Sequence, residues 1–259
     1  MDKYIYHRVI GTSVTLTWLA LSTLYTHIEM DKHLPTHPEL QVFKDLSARY
    51  NTVWNAVFLN IYGVVSLICD LAQIKGGDKE VPHGVKKFRF KWFHEVVFPQ
   101  MVAMSIFWPV YFFDRELVFP AVVDILMPPF GNFVFHGLPI LYVFWELIHL
   151  PEDQPKNRSD IKKIYSISIN AWFVFLTLYT KYVDLGVWMY ELLTFFEDSM
   201  VFPFMFTIVG LLSYIAFNAQ WIIKDFVWKL RKFEKLTVKD IHFFKSVYKI
   251  YIQREYKDN

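Results

Sequence analysis

Arg49-Tyr50-Asn51-Thr52-Val53-Trp54-Asn55-Ala56-Val57-Phe58-Leu59-Asn60-Ile61-Tyr62-Gly63-Val64-Val65-Ser66-Leu67-Ile68-Cys69-Asp70 is the stretch on which the fold turns. Twenty residues, 50–69, separate Arg49 from Asp70 without one Asp, Glu, Lys or Arg. A helix crossing hydrocarbon needs about 17–25 predominantly apolar residues at 1.5 Å rise each. Five more such gaps follow the same rule: 9–28, 96–113, 125–145, 164–180 and 199–223. A soluble protein can bury one helix of this kind. Six in series leave too little polar surface to cover them. The expectation is an all-α membrane protein with six transmembrane helices.

Composition agrees. The chain is 54% hydrophobic, 19% aromatic and 20% charged, with a formal net charge of +2, whereas soluble domains average about 45–50% apolar and about 25% charged. So weak a net charge gives little field to hold a polyanion, so no nucleic-acid partner is expected. The single cysteine, Cys69, excludes an internal disulfide framework and a Cys-based zinc site.

Lys and Arg in the connections set the orientation. The N-terminal segment, second loop, fourth loop and C-terminal tail hold two, six, four and ten, which is 22 of the 27 basic residues. The other loops hold the remaining five: Lys32, Lys44, Arg49, Arg115 and Lys181. Both termini are therefore expected in the cytoplasm. The first span, flanked by Lys3 and Arg8, is too long for a signal-peptide core and reads as a retained signal anchor. Residues 1–228 read as a six-span transmembrane domain and 229–259 as a basic, partly amphipathic cytoplasmic tail. A membrane-lying helix and a solvated stop signal remain equal readings of that tail. Loop four, 151–158, is the expected protease-accessible turn.

Polar groups inside lipid are costly and tend to carry function. Thr52, Asn55 and Leu59 share one face of span two, continued by Tyr62 and Ser66. That stripe can be helix packing through interhelical hydrogen bonds. Span four carries Asn132, His136, Glu146 and His149. With the N-terminus inside, spans two and four both run inward, which brings Thr52 and His136 to comparable depth. A threonine hydroxyl becomes a useful nucleophile when an adjacent histidine takes its proton. The sequence permits such a pair and equally permits two packing residues. For the orientation of His136, Asp114, Glu116 and Asp124 are closer candidates than Glu146.

Metal chemistry lacks a ligand set. Glu146 and His149 form one Glu-x-x-His half-site where a di-metal bundle needs two. His94-Glu95 is followed by Phe98 instead of the second histidine of a zincin. No phosphate-binding loop, dinucleotide fingerprint or Gly-x-Ser-x-Gly elbow is present. No metal or cofactor is expected.

The run Phe107-Trp108-Pro109-Val110-Tyr111-Phe112-Phe113-Asp114-Arg115-Glu116-Leu117-Val118-Phe119-Pro120, followed by Asn132-Phe133-Val134-Phe135-His136, resembles the family of androgen-induced and androgen-dependent TFPI-regulating proteins. Arg49-Tyr50-Asn51-Thr52 resembles that family's start of span two. Phe133 and Phe135 depart from its usual Asn-His-x-Met-His pattern, and Gly137 follows where a hydroxyl residue is common; His136 stays in place. The resemblance implies an intramembrane threonine hydrolase that cleaves fatty acid esters of hydroxy fatty acids, with Thr52 as nucleophile and His136 as its partner. Asn55 or Asn132 could supply a donor to the developing oxyanion. The enzyme would be integral to the endoplasmic reticulum or plasma membrane. The rival reading is a non-enzymatic multispan regulator or scaffold.

Overall fold

The computed structural model describes residues 4–150 and 161–234, which fall into two compact units divided after Gln220. Among the described residues the first unit is built of helices joined by short turns and loops and holds no strand. Its long elements are α1 (Ile5–His33), α3 (Asn51–Gly76), a run made of α4 (His83–Trp92), α5 (Phe98–Ala103) and α6 (Phe107–Phe113), and the broken pair α7 (Pro129–His136) and α8 (Leu138–His149). The short α2 (Leu40–Leu46) precedes α3. After α8 come α9 (Ile164–Tyr179), α10 (Glu191–Phe196) and α11 (Phe202–Glu234).

Four helices among the described residues are long and apolar enough to cross a membrane: Ile5–His33, Asn51–Gly76, His83–Phe113 and Phe202–Trp228. The pair Pro129–His136 and Leu138–His149, bent by 41°, makes a fifth if counted as one span. The remaining charge-free gap, 164–180, forms α9, 16 residues long, followed by a π turn over Thr180–Asp184. The expected amphipathic tail beyond residue 234 and the exposed turn at 151–158 lie outside the described residues.

Burial is inverted relative to a soluble protein. Ile10, Leu24, Ile28, Ile68, Phe175 and Leu211 are exposed, whereas Arg8, Thr12, Thr15, Asn55, Ser66 and Asp70 are buried. Lipid tails satisfy the first group, and only protein can satisfy the second. Small residues set the helix approach. A Cβ on Gly11 would meet Trp145 Nε1 at 2.4 Å, and one on Gly63 would meet Leu16 Cδ2 at 2.7 Å. Glycine at these two positions lets α1 lie against α8 and α3.

Prolines account for the interruptions. Pro99 has no N–H to give to Glu95, and the turn before it opens into a π turn over Phe93–Val97. Pro139 likewise leaves the Phe135 carbonyl without its helical donor at the α7–α8 bend. Beyond the bend, Ile140 N–H turns to Gly137 O at 3.1 Å, so the His136 carbonyl is released from the ladder.

In the second unit, α11 continues to Glu234, and the Lys224 ammonium lies 5.6 and 5.1 Å from the ring centres of Trp221 and Trp228.

Candidate functional site

Helix α3 begins at Asn51, capped by extended backbone at Tyr50 with no side-chain cap. Thr52 is therefore its second residue, at the end where backbone N–H groups lack helical acceptors. Its half-buried side chain meets His136, the last residue of α7: Thr52 Oγ1 lies 3.0 Å from His136 Nε2. The other ring nitrogen, Nδ1, lies 3.2 Å from the Asn132 carbonyl one turn back. A carbonyl oxygen only accepts, so Nδ1 carries the proton and Nε2 presents its lone pair to the threonine hydroxyl.

Two further contacts hold His136 in that pose. Its ring stacks on Phe107 at 3.7 Å with planes 9° apart, an aromatic contact that contributes about 0.5–1.5 kcal/mol beyond burial. The His136 carbonyl released by the helix break accepts the Trp108 indole N–H at 3.1 Å. The ring itself is buried. The site thus draws on the start of α3, the end of α7 and the start of α6.

The expected orienting carboxylates are elsewhere. Asp114 accepts Glu116 N–H, Glu116 accepts Ala121 N–H, and Asp124 pairs with Arg115 at 2.8 Å. Each is consumed within its own loop, so a backbone carbonyl takes the role expected of an acid. Glu146 is indeed remote, bonded to Tyr62 and Arg89. His149 Nδ1 bonds the Trp145 carbonyl, and no group of three metal-binding side chains exists among the described residues.

The α3 stripe read from the sequence is the buried face: Asn55, Leu59, Tyr62 and Ser66 are all covered. At the start of α3, Asn51 N–H donates to the Tyr190 hydroxyl at 3.2 Å. Tyr190 is half-buried in the loop before α10, and desolvation pushes its phenol up to about 12. Arg49, three residues before Thr52, bonds Thr180 at 2.9 Å and pairs with Asp184.

The charge-gap reading did not foresee the opposite end of α3. Asp70 accepts from Arg8 at 2.8 Å and from Arg89 at 2.9 Å, and Arg89 also reaches Glu146 at 2.9 Å. Tyr62 donates to Glu146 at 2.5 Å, and Arg8 donates to the His149 carbonyl at 2.9 Å. Arg8, Asp70 and Glu146 are each 0% exposed. These residues were the edge markers of the gaps. Their signal was that opposite charges stand at ends of spans that share a side of the bilayer.

Together these features define an all-helical membrane protein with a part-buried Thr–His pair at one end of its helices and an ion-pair cluster at the other. Residues 12–224 match the model of the FAR-17a/AIG1-like protein family, and the chain belongs to that family. It is 20% identical to human androgen-induced gene 1 protein over 232 residues, covering 87% of this chain and 92% of the relative. Against human androgen-dependent TFPI-regulating protein it is 27% identical over 165 residues, covering 60% of this chain and 70% of the relative. The mouse form of that protein is 25% identical over 170 residues, covering 63% and 72%. No solved structure matches the chain significantly.

Proposed function

We propose that the protein is an intramembrane hydrolase that uses Thr52 as nucleophile and His136 as general base on the ester bond of fatty acid esters of hydroxy fatty acids. The observation that carries this reading is the 3.0 Å contact between Thr52 Oγ1 and an Nε2 whose lone pair is free to accept. His136 takes the hydroxyl proton as Oγ1 attacks the ester carbonyl, then delivers it to the departing hydroxy fatty acid. Water, activated the same way, releases the fatty acid from the acyl-threonine. The two-chain substrate suits a site reached from lipid, and the exposed apolar helix faces support that setting.

The same reading has six spans with both termini in the cytoplasm, in the endoplasmic reticulum or the plasma membrane. Helical backbone from Ile164 through Asp184 supports the additional span, because 21 residues rise about 31 Å, close to the thickness of the hydrocarbon core. Residues 1–228 carry the chemistry and 229–259 form the tail.

The direct experiment is hydrolysis of such esters by purified protein, followed by mass spectrometry, with a fluorophosphonate probe in parallel. Turnover and labelling of the wild type, both lost in Thr52→Ala and His136→Ala, are the expected result. An inert wild type would leave the non-enzymatic scaffold, and normal turnover by Thr52→Ala would remove the nucleophile.

A further inference from the structure

Hydrolysis through Thr52 places negative charge on the ester carbonyl oxygen, and nothing in the Thr–His pair neutralises it. Two unsatisfied donors stand beside that pair. The first is the backbone N–H of Thr52. Of the N–H groups opening α3, Asn51 N–H goes to Tyr190 while Val53 and Trp54 N–H go to the Tyr50 carbonyl. Thr52 N–H has no acceptor among the described residues. It is three bonds from the attacking Oγ1 and sits at the positive end of a 26-residue helix.

The second is Asn132. Its side chain is 3% exposed, its Oδ1 is buried without a partner, and no hydrogen bond of its amide forms among the described residues. A buried carbonyl oxygen without a donor costs about 1–3 kcal/mol, so its retention calls for an explanation. The geometry supplies one. Thr52 meets His136, Tyr62 meets Glu146, and Asp70 and His149 both meet Arg8. Contacts in that order make α3 and the α7–α8 pair parallel. Asn132 precedes His136 by one turn, on the same face and toward the N-terminal end of α3. Helix N–H groups point toward that same end. Thr52 N–H and the Asn132 carboxamide therefore lie on one side of the reacting pair. Asn55 lies one turn the other way, with its amide on Met104 Sδ at 3.5 Å.

We infer, on the basis of the threonine-hydrolase reading, that Thr52 N–H and Asn132 Nδ2 form the oxyanion hole. In the step they serve, Oγ1 bonds to the carbonyl carbon, the carbonyl π pair moves onto its oxygen, and the hydroxyl proton passes to His136 Nε2. The oxyanion takes both hydrogen bonds. On collapse the pair returns, the bond to the alcohol oxygen breaks, and that oxygen receives the proton from His136. Both ends of the Asn132 carboxamide are unpaired, so a half-turn of its terminal torsion presents the amide.

Full-length protein carrying Asn132→Leu, with isosteric Asn132→Asp as the second variant, tests this against ester substrate and a trifluoromethyl ketone that forms a stable tetrahedral adduct. Removal of one oxyanion donor lowers kcat by about 10²–10³-fold. The expected result is such a fall in both variants with KM within threefold. Affinity for the ketone should fall in parallel, and Asn55→Leu should lose much less. Replacing the Asn51–Thr52 amide by an ester should lower kcat comparably. Wild-type turnover with either folded Asn132 variant within threefold of it, or with ketone affinity unchanged, overturns the oxyanion hole and leaves the nucleophile standing. A wild type that neither hydrolyses nor labels overturns the hydrolase reading itself.

Discussion

The two ends of helix α3 solve the problem of polarity in lipid in opposite ways. Near its end, Asp70 joins Arg8, Arg89 and Glu146, two cations against two carboxylates, and charge cancels by sign. At its start, Thr52 faces His136 with no charged partner, and neighbouring groups stay unpaired. The charged end ties α1, α3, α4 and α8 together. The neutral end sets an imidazole nitrogen against a hydroxyl and leaves the Thr52 N–H without an acceptor among the described residues. Both ends leave buried polar atoms without a partner among the described residues, Arg89 Nε and Glu146 Oε2 at one and the Asn132 Oδ1 at the other. What separates them is charge balance, which suits a structural joint, against an uncharged hydroxyl–imidazole contact, which suits chemistry.

The comparison is broken most severely at the neutral end. Thr52→Ala is expected to reduce ester hydrolysis to background, and His136→Ala to lower it by about 10²–10⁴-fold, the usual contribution of a positioned base. Thermal unfolding in detergent should be nearly unchanged in both. A loss of folding equal to the loss of activity would make them packing residues.

Disruption of the charged end should reverse that pattern. Removing one partner of a buried ion pair leaves an uncompensated charge and costs about 3–5 kcal/mol. Arg89→Ala and Asp70→Asn are therefore expected to lower the unfolding temperature and yield of folded protein, with little change in turnover per folded molecule. If turnover collapses at unchanged stability, the cluster belongs to the reaction.

Trp108→Phe should have a smaller effect. It removes the donor to the His136 carbonyl while keeping an aromatic ring. A lost hydrogen bond is worth about 1 kcal/mol, so roughly fivefold slower hydrolysis is expected, measured as kcat with KM nearly constant.

Alkali offers a milder probe. The Tyr190 phenol is pushed up to about 12 by burial, against an ordinary value near 10. Because the unfolded chain ionises first, this group's contribution to stability is complete below pH about 10 and is lost as pH rises toward 12. Tyr190→Phe should flatten that loss in a pH series of detergent melts. An unaltered alkaline limb would assign it to other groups.

Chelation is expected to do nothing. Treatment with EDTA or phenanthroline should leave hydrolysis unchanged, since the Thr–His step uses only side chains. Activity lost to chelator and restored by zinc would sink the threonine mechanism.

The primary sequence determined that this chain is an all-α membrane protein, because charge-free runs of about twenty residues have no other economical home than lipid. It also permitted a Thr52–His136 pair, since their depths could be matched by counting, and it was the resemblance to a known family that picked these two from the other polar residues of their spans. The stripe at Asn55, Leu59, Tyr62 and Ser66 was legible for the same reason: helical periodicity survives in sequence. Only tertiary structure decided what each polar group touches. Gap lengths could not reveal that Pro139 breaks the fourth span, that Trp108 takes the freed carbonyl, or that Asn132 replaces an acid in orienting His136. Nor could they join Arg8, Asp70, Arg89 and Glu146, which stand 8 to 146 residues along the chain. Hydrophobic periodicity is a property of each helix alone, whereas hydrogen-bond partners across helices depend on rotation, register and breaks that only packing sets.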